Sequence, residues 1–379
     1  MARSRSVPAP RAARWLAVTA ALGLATAACG SSGDETSADT AASSGAGTAP
    51  SDATGSSAAE DTATGSSGAE GTATGEPIRI GYSAWPGWFP LAVAEKEGLF
   101  EQAGVNVELQ FFADYLGSLD AMAAGQLDGN TQTLNDTMFA VAAGDQQVIV
   151  VTNDNSAGND AIICDASVGD NIEDLKGRTI AAEPGVVDHF LLLQGLASVG
   201  LAEADIDFRG VTTDAAAAAF AGGEFDCVGV FAPFTVQALE RPGSKVVFDS
   251  ADFPGTISDH IVVTLELIEE RPQDVQKLVD AWYLTLDWIE ANPDEALATL
   301  ADVAELTPEE YESLADGTNI FDASEALTTF TDTAGPTSLE RVAKLINPFL
   351  VESGLTEKEA PLDGLFDGSF TQATVDGAA

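Results

Sequence analysis

Apolar and polar positions alternate with a period of two at the start of the globular part of this chain. Ile78, Ile80 and Tyr82 are separated by Arg79 and Gly81, the pattern of a short strand with one face in a core. Ser83 to Pro90 breaks the alternation with Trp85, Pro86, Gly87 and Trp88, and a helical spacing follows through Leu91, Ala94, Glu95 and Leu99, with Gly98 as the expected stop. The unit therefore reads strand, aromatic turn, helix. In an open α/β sheet the turn leaving the carboxyl end of the first strand faces the ligand crevice. Trp85 and Trp88 are thus candidates for ligand contact, with packing over the helix end as the competing role.

The same punctuation continues. Residues 105–111 alternate as a second strand, 116–124 read as a helix stopped by Gly125, and 127–130 as a short strand. Asn135 or Asp136 is placed to cap a helix that runs to Ala143 and ends at Gly144. Residues 147–152 read as a buried strand, and this alternation predicts a mostly parallel sheet. The stretch 153–160, NDNSAGND, reads as polar and turn-rich. A second series follows: strands at 161–164, 179–182, 205–211 and 225–231, with helices at 186–201, 215–221 and 233–239. Residues 259–263 carry the chain back, and 266–351 are helix-dominated, with Trp282, Leu286 and Ile289 on one core-facing stripe.

What precedes residue 78 is of another kind. Arg3, Arg5, Arg11 and Arg14 lead a short apolar run ending in Thr26-Ala27-Ala28-Cys29. This is the pattern of an export signal over 1–28, and it resembles a bacterial lipobox with Cys29 as the lipidated residue. Thr26 stands where such a motif has leucine, so cleavage after Ala28 without lipidation stays open. Residues 29–76 are small and polar, and ATGSSAAEDT repeats as ATGSSGAEGT. Such a tract has nothing with which to build a core and is expected to be a disordered tether, holding the rest at the outer face of the cytoplasmic membrane. The formal net charge of −44 argues against nucleic acid as a partner.

Taken together, IGYSAWPGWFPLAVAEKEGLF, VNVELQFF, LDAMAAGQLDG, IEDLKGRTIAAEPG, AAFAGGEFDCVGVFAPF, ERPQDVQKLVDAWYLTLDWIEANPDEA and LFDGSF resemble solute-binding proteins of ABC importers of the nitrate/sulfonate/taurine type. That family also holds binders of thiamine-pyrimidine precursors. The resemblance spans 78 to about 371. It implies a two-lobed α/β fold of the periplasmic-binding-protein type II class, each lobe a mixed sheet flanked by helices, joined by two crossing strands. Lobe I would comprise 78–157 plus 263–371 and lobe II 158–262. A small solute would be clamped by hinge closure and passed to a permease and ATPase on other chains.

The solute is read from the crevice. The loops at expected strand ends hold Asp136, Asp154, Asp160, Asp188 and Asp259 and neither lysine nor arginine. A sulfonate or nitrate needs donors or a bare helix N-terminus, whereas Asp188 falls in the first turn of the helix after Gly185. The expected ligand is therefore cationic or nitrogen-rich, of guanidinium or small-amine type, with an anion or a pyrimidine precursor as the alternative. Gln132, Thr133, Asn135, Asn155, His189 and Phe231 complete the candidate set, while capping and turn-building remain open for each aspartate. His260 is expected to be structural. Cys164 and Cys227 are expected as buried free thiols, since spacing does not show whether two Cβ atoms face each other. Neither a metal motif nor a cofactor fingerprint is present. A sensory module and a pyrimidine-synthase-like enzyme on the same fold are the readings from other classes. The enzyme reading has no nucleophile elbow, Walker loop or cysteine-rich motif behind it.

Overall fold

The computed structural model describes residues 75–378. The expected export signal, the lipidated Cys29 and all but the last two residues of the tether lie outside the described residues.

Eleven strands form two sheets. They are β1 (Ile78–Ser83), β2 (Val107–Phe112), β3 (Gly129–Thr133), β4 (Gln147–Ser156), β5 (Asp160–Cys164), β6 (Thr179–Ala182), β7 (Asp207–Gly210), β8 (Cys227–Phe231), β9 (Lys245–Asp249), β10 (Ser258–Thr264) and β11 (Thr318–Ile320). The first sheet has the order β11-β4-β10-β3-β1-β2 and the second β7-β6-β8-β5-β9. The opening strand–turn–helix pattern forms as read, β1 lying parallel to β2 and β3. The sheets are nonetheless mixed rather than mostly parallel. β10 runs antiparallel to β3 and β4, and β5 antiparallel to β8 and β9. The reason is topological: strands entering a sheet from the other lobe arrive without a crossover helix and insert head to tail.

The chain passes between the sheets after β4 and returns before β10. Hydrogen bonds tie the two passages together. The Ser156 and Ser250 hydroxyls lie 2.7 Å apart, and the Gly158 amide donates to Ser250 Oγ. Helix Pro272–Ala291 packs Trp282 fully into the core of the first sheet's lobe.

Four local expectations are corrected. Thr131–Thr133 is not a loop but the end of β3, every residue of which is buried. Its glutamine is bonded within the protein, Gln132 Nε2 donating to Thr137 Oγ1 and to Gln147 Oε1. Thr133, not Asn135 or Asp136, caps the following helix by accepting from the Asp136 amide. The turn-rich stretch from Asn153 continues β4 as far as Ser156. Finally, Cys164 and Cys227 form a disulfide. They occupy facing positions in the antiparallel register of β5 and β8, which sequence spacing does not encode.

Candidate functional site

Strand register builds one wall of a crevice. Thr133 of β3 faces Asp259 of β10, and Asp259 faces Asp154 of β4. Cross-strand partners project from the same side of a sheet, so these three polar residues form a row across the carboxyl-terminal edge of the first sheet. In the second sheet Asp160 of β5 faces Phe231 of β8, giving a second, opposing pair.

The aromatic turn closes over this frame. A Cβ at Gly87 would stand 1.8 Å from Asp154 Oδ2, so glycine alone lets the turn lie on that carboxylate. Trp85 Nε1 then donates to Asp154 Oδ1 at 3.1 Å. Ring contacts run from Trp85 to Trp88, from Trp88 to Tyr115 (5.3 Å) and from Tyr115 edge-on to Phe231 (6.1 Å). The result is a partly open cavity bounded by both tryptophans, Tyr115, Phe231, Asp160 and Asp259. It holds about 220 Å³ of space between atoms. A guest must be small, or the lobes must part further to admit it.

The donors and acceptors around this cavity are unequal. Thr133 Oγ1 and Tyr115 Oη both give their protons to Asp136 Oδ2, and Trp85 Nε1 is engaged by Asp154. The spare donor among the lining groups is Trp88 Nε1, while Asp160 Oδ2 and Asp259 Oδ2 are acceptors without a partner. Lysine, arginine and histidine are missing from the lining. Asp160 and Asp259 are 2% and 1% exposed, and burying an unpaired carboxylate raises its pKa. Burial accordingly pushes Asp136 and Asp160 up to about 7. Asp154 and Asp259 face each other across β4 and β10, and burial raises both. Asp188 is raised in the same way, by burial and then by Glu183.

Of the residues expected at the crevice, Trp85, Trp88, Thr133, Asp160 and Phe231 line the cavity. Asp136 and Asp154 lie one layer behind, holding Tyr115 and Trp85. Asn135 donates to Asp136, Asn155 to backbone carbonyls of Ser156 and Ile257, and Gln132 is engaged behind β3. Asp188 accepts from the Glu183 amide and from Thr213 Oγ1. His189 turns away, stacked on Phe208 with Nε2 at 2.7 Å from Glu203; burial lowers its pKa against the pull of Glu203. His260 is buried in β10 beside Ser258 and held neutral, its pKa pushed down to about 3 by burial. Tyr115 was absent from the expected set. It lies three residues beyond the end of β2, at the start of the next helix, so the strand-end rule that singles out the tryptophan turn applies to it equally. Val187 and Ile257, the apolar remainder of the lining, carry no signal of their own.

Two lobes around a crevice, with two crossings, define the periplasmic-binding-protein type II fold. Residues 71–306 match the NMT1-like family, and the chain belongs to that family. A Bacillus subtilis protein provisionally named as aliphatic sulfonates-binding is 25% identical over 60% of this chain and 70% of its own. An Escherichia coli protein of the same provisional name is 30% identical over 49% of this chain and 59% of its own. Among solved structures, the alkanesulfonate-binding protein SsuA of Xanthomonas axonopodis pv. citri bound to MOPS superposes with TM-score 0.65 at 20% identity, covering 78% of this chain and 99% of that one. The desulfurization enzyme DSZB shares the fold at TM-score 0.56 and 16% identity.

Proposed function

We propose that this chain is the extracytoplasmic solute-binding component of an ABC importer, tethered through Cys29, and that its solute is a small cation or nitrogen-rich molecule. The lobes close on the solute, and the closed form is handed to a permease and ATPase on other chains. Its role is to hold and deliver rather than to convert. The family and the two-lobed fold support the transport role. The observation that carries the charge class is the pair of unpartnered, buried carboxylate oxygens, Asp160 Oδ2 and Asp259 Oδ2, each from a different sheet. A cation between them would satisfy both lobes at once and lie against tryptophan faces.

The second reading is a sulfonate, favoured by the names of the relatives. An anion here would depend on protonated carboxyls and Trp88 Nε1 for donors, and would bind better as pH falls. The test is thermal stabilisation of the purified protein by guanidinium, small amines, taurine, alkanesulfonates and nitrate. A ligand at 100 times its Kd adds about 2.7 kcal/mol. Stabilisation by nitrogenous cations supports the favoured reading; stabilisation by sulfonates alone replaces it with the second. Silence from every class would remove support for either.

A further inference from the structure

A second cavity adjoins the first, sharing Tyr115 and Phe231 as its wall and holding about 210 Å³ of space between atoms. Its chemistry repeats that of the first. Glu183 directly follows β6 in the second sheet, and Asp114 lies two residues beyond β2 in the first. Both residues line this one cavity. Glu183 is 1% exposed; its Oε2 accepts from the amide and hydroxyl of Thr213, while its Oε1 is buried, faces this cavity's residues and has no partner. Asp114 is exposed and leaves the helix it precedes uncapped by its side chain. Asp214 adds a third carboxylate to the lining, and basic side chains are missing from it. Carboxyls gathered around one cavity favour a proton or a cation among them.

We propose that this second cavity is a subsite for a second cationic nitrogen, so that the solute is a diamine or an amino-guanidine. One end would sit between Asp160 and Asp259, the other between Asp114 and Glu183, with the connecting methylenes against Tyr115 and Phe231. The proposal rests on the cationic reading of the first cavity. Each subsite draws one carboxylate from each sheet, so a solute long enough to fill both links the lobes at two points. A monocation links them at one.

The experiment is calorimetric titration of the protein with agmatine, putrescine, butylguanidine and guanidinium, repeated on Glu183→Gln and Asp114→Asn. Glu183→Gln retains an acceptor for Thr213, and Asp114 is exposed, so the second variant guards against misfolding in the first. The expected result is agmatine or putrescine binding at least tenfold tighter than butylguanidine, with both variants removing that advantage. Guanidinium affinity should stay within twofold of the parent protein, which also shows that the variants fold. If neither variant changes the affinity for agmatine relative to butylguanidine, the carboxyl pair merely shares a proton and the subsite is refuted, with the first cavity's cationic reading intact. If no cation binds the parent protein while a sulfonate does, both readings fall together.

Discussion

Trp85 is held by Asp154 of the same lobe, its indole Nε1 donating to Oδ1 at 3.1 Å, over a glycine that leaves room for nothing larger. The aromatic turn and the carboxylate row are therefore one construction. Replacing Trp85 with Phe keeps a ring but removes the donor, leaving Asp154 with neither oxygen bonded to the turn. The expected outcome is a solute affinity lowered about 5- to 30-fold, from roughly 1–2 kcal/mol, with the protein folded. Titration of the variant checks it, and unchanged affinity would reduce Trp85 to a packing residue.

Gly87 carries the complementary prediction. Ala at this position would press its methyl into Asp154 Oδ2, forcing either the turn or the carboxylate to move. Overpacking of this kind costs about 1–3 kcal/mol. The melting temperature of Gly87→Ala should fall by several degrees and solute binding should weaken with it. A melting temperature equal to that of the parent would show that the turn has slack.

The buried carboxylates make stability pH-dependent in an unusual direction. Asp136 and Asp160 titrate near 7 in the folded protein, against about 3.9 in an unfolded chain. Between those values the folded state binds more protons than the unfolded one, so stability falls as pH rises and levels off above the folded pKa. Each group contributes on the order of 4 kcal/mol to that fall. The ligand-free protein should therefore melt highest in mild acid and lose stability up to about pH 8, and Asp160→Asn should flatten the slope. Melting curves from pH 5 to 8.5 check this; a melting temperature that rises over that range would contradict it. A bound cation opposes the loss, so its stabilising effect should grow with pH as protons are released.

Much of this arrangement is legible in the sequence, and the omissions have physical causes. The Ile78–Tyr82 alternation and the proline, glycine and tryptophans that break it locate the first wall of the crevice, because both signals are local. The charge count also reads through: aspartates without basic partners are visible before any folding. What is hidden is register. Asp154 opposite Asp259, Thr133 opposite Asp259 and Cys164 opposite Cys227 follow from which strands become neighbours. Polar composition misleads at β3, where asparagine, glutamine and threonines look like a loop but form a buried strand in which Asn130 donates to Gln132 and Gln132 to Thr137.

The disulfide gives a further test. It closes a loop with a sequence separation of 63, for which chain entropy predicts about 4 kcal/mol of stabilisation. The Cys164→Ser, Cys227→Ser double variant should melt several degrees lower while still binding solute, since β5 and β8 remain paired on either side of the bridge. Loss of binding at temperatures where the variant is folded would show that the bridge also positions Asp160 and Phe231.

The most direct measurement is calorimetric titration of guanidinium, agmatine and taurine into the parent protein and into Asp160→Asn. A four-atom cation has a ceiling near 6 kcal/mol, or tens of micromolar, within calorimetric range. The account predicts that the cations bind, that taurine does not, and that Asp160→Asn weakens the cations by about 10- to 150-fold through loss of one charge-assisted hydrogen bond. Taurine binding to the parent protein, unchanged or strengthened in Asp160→Asn, would contradict it.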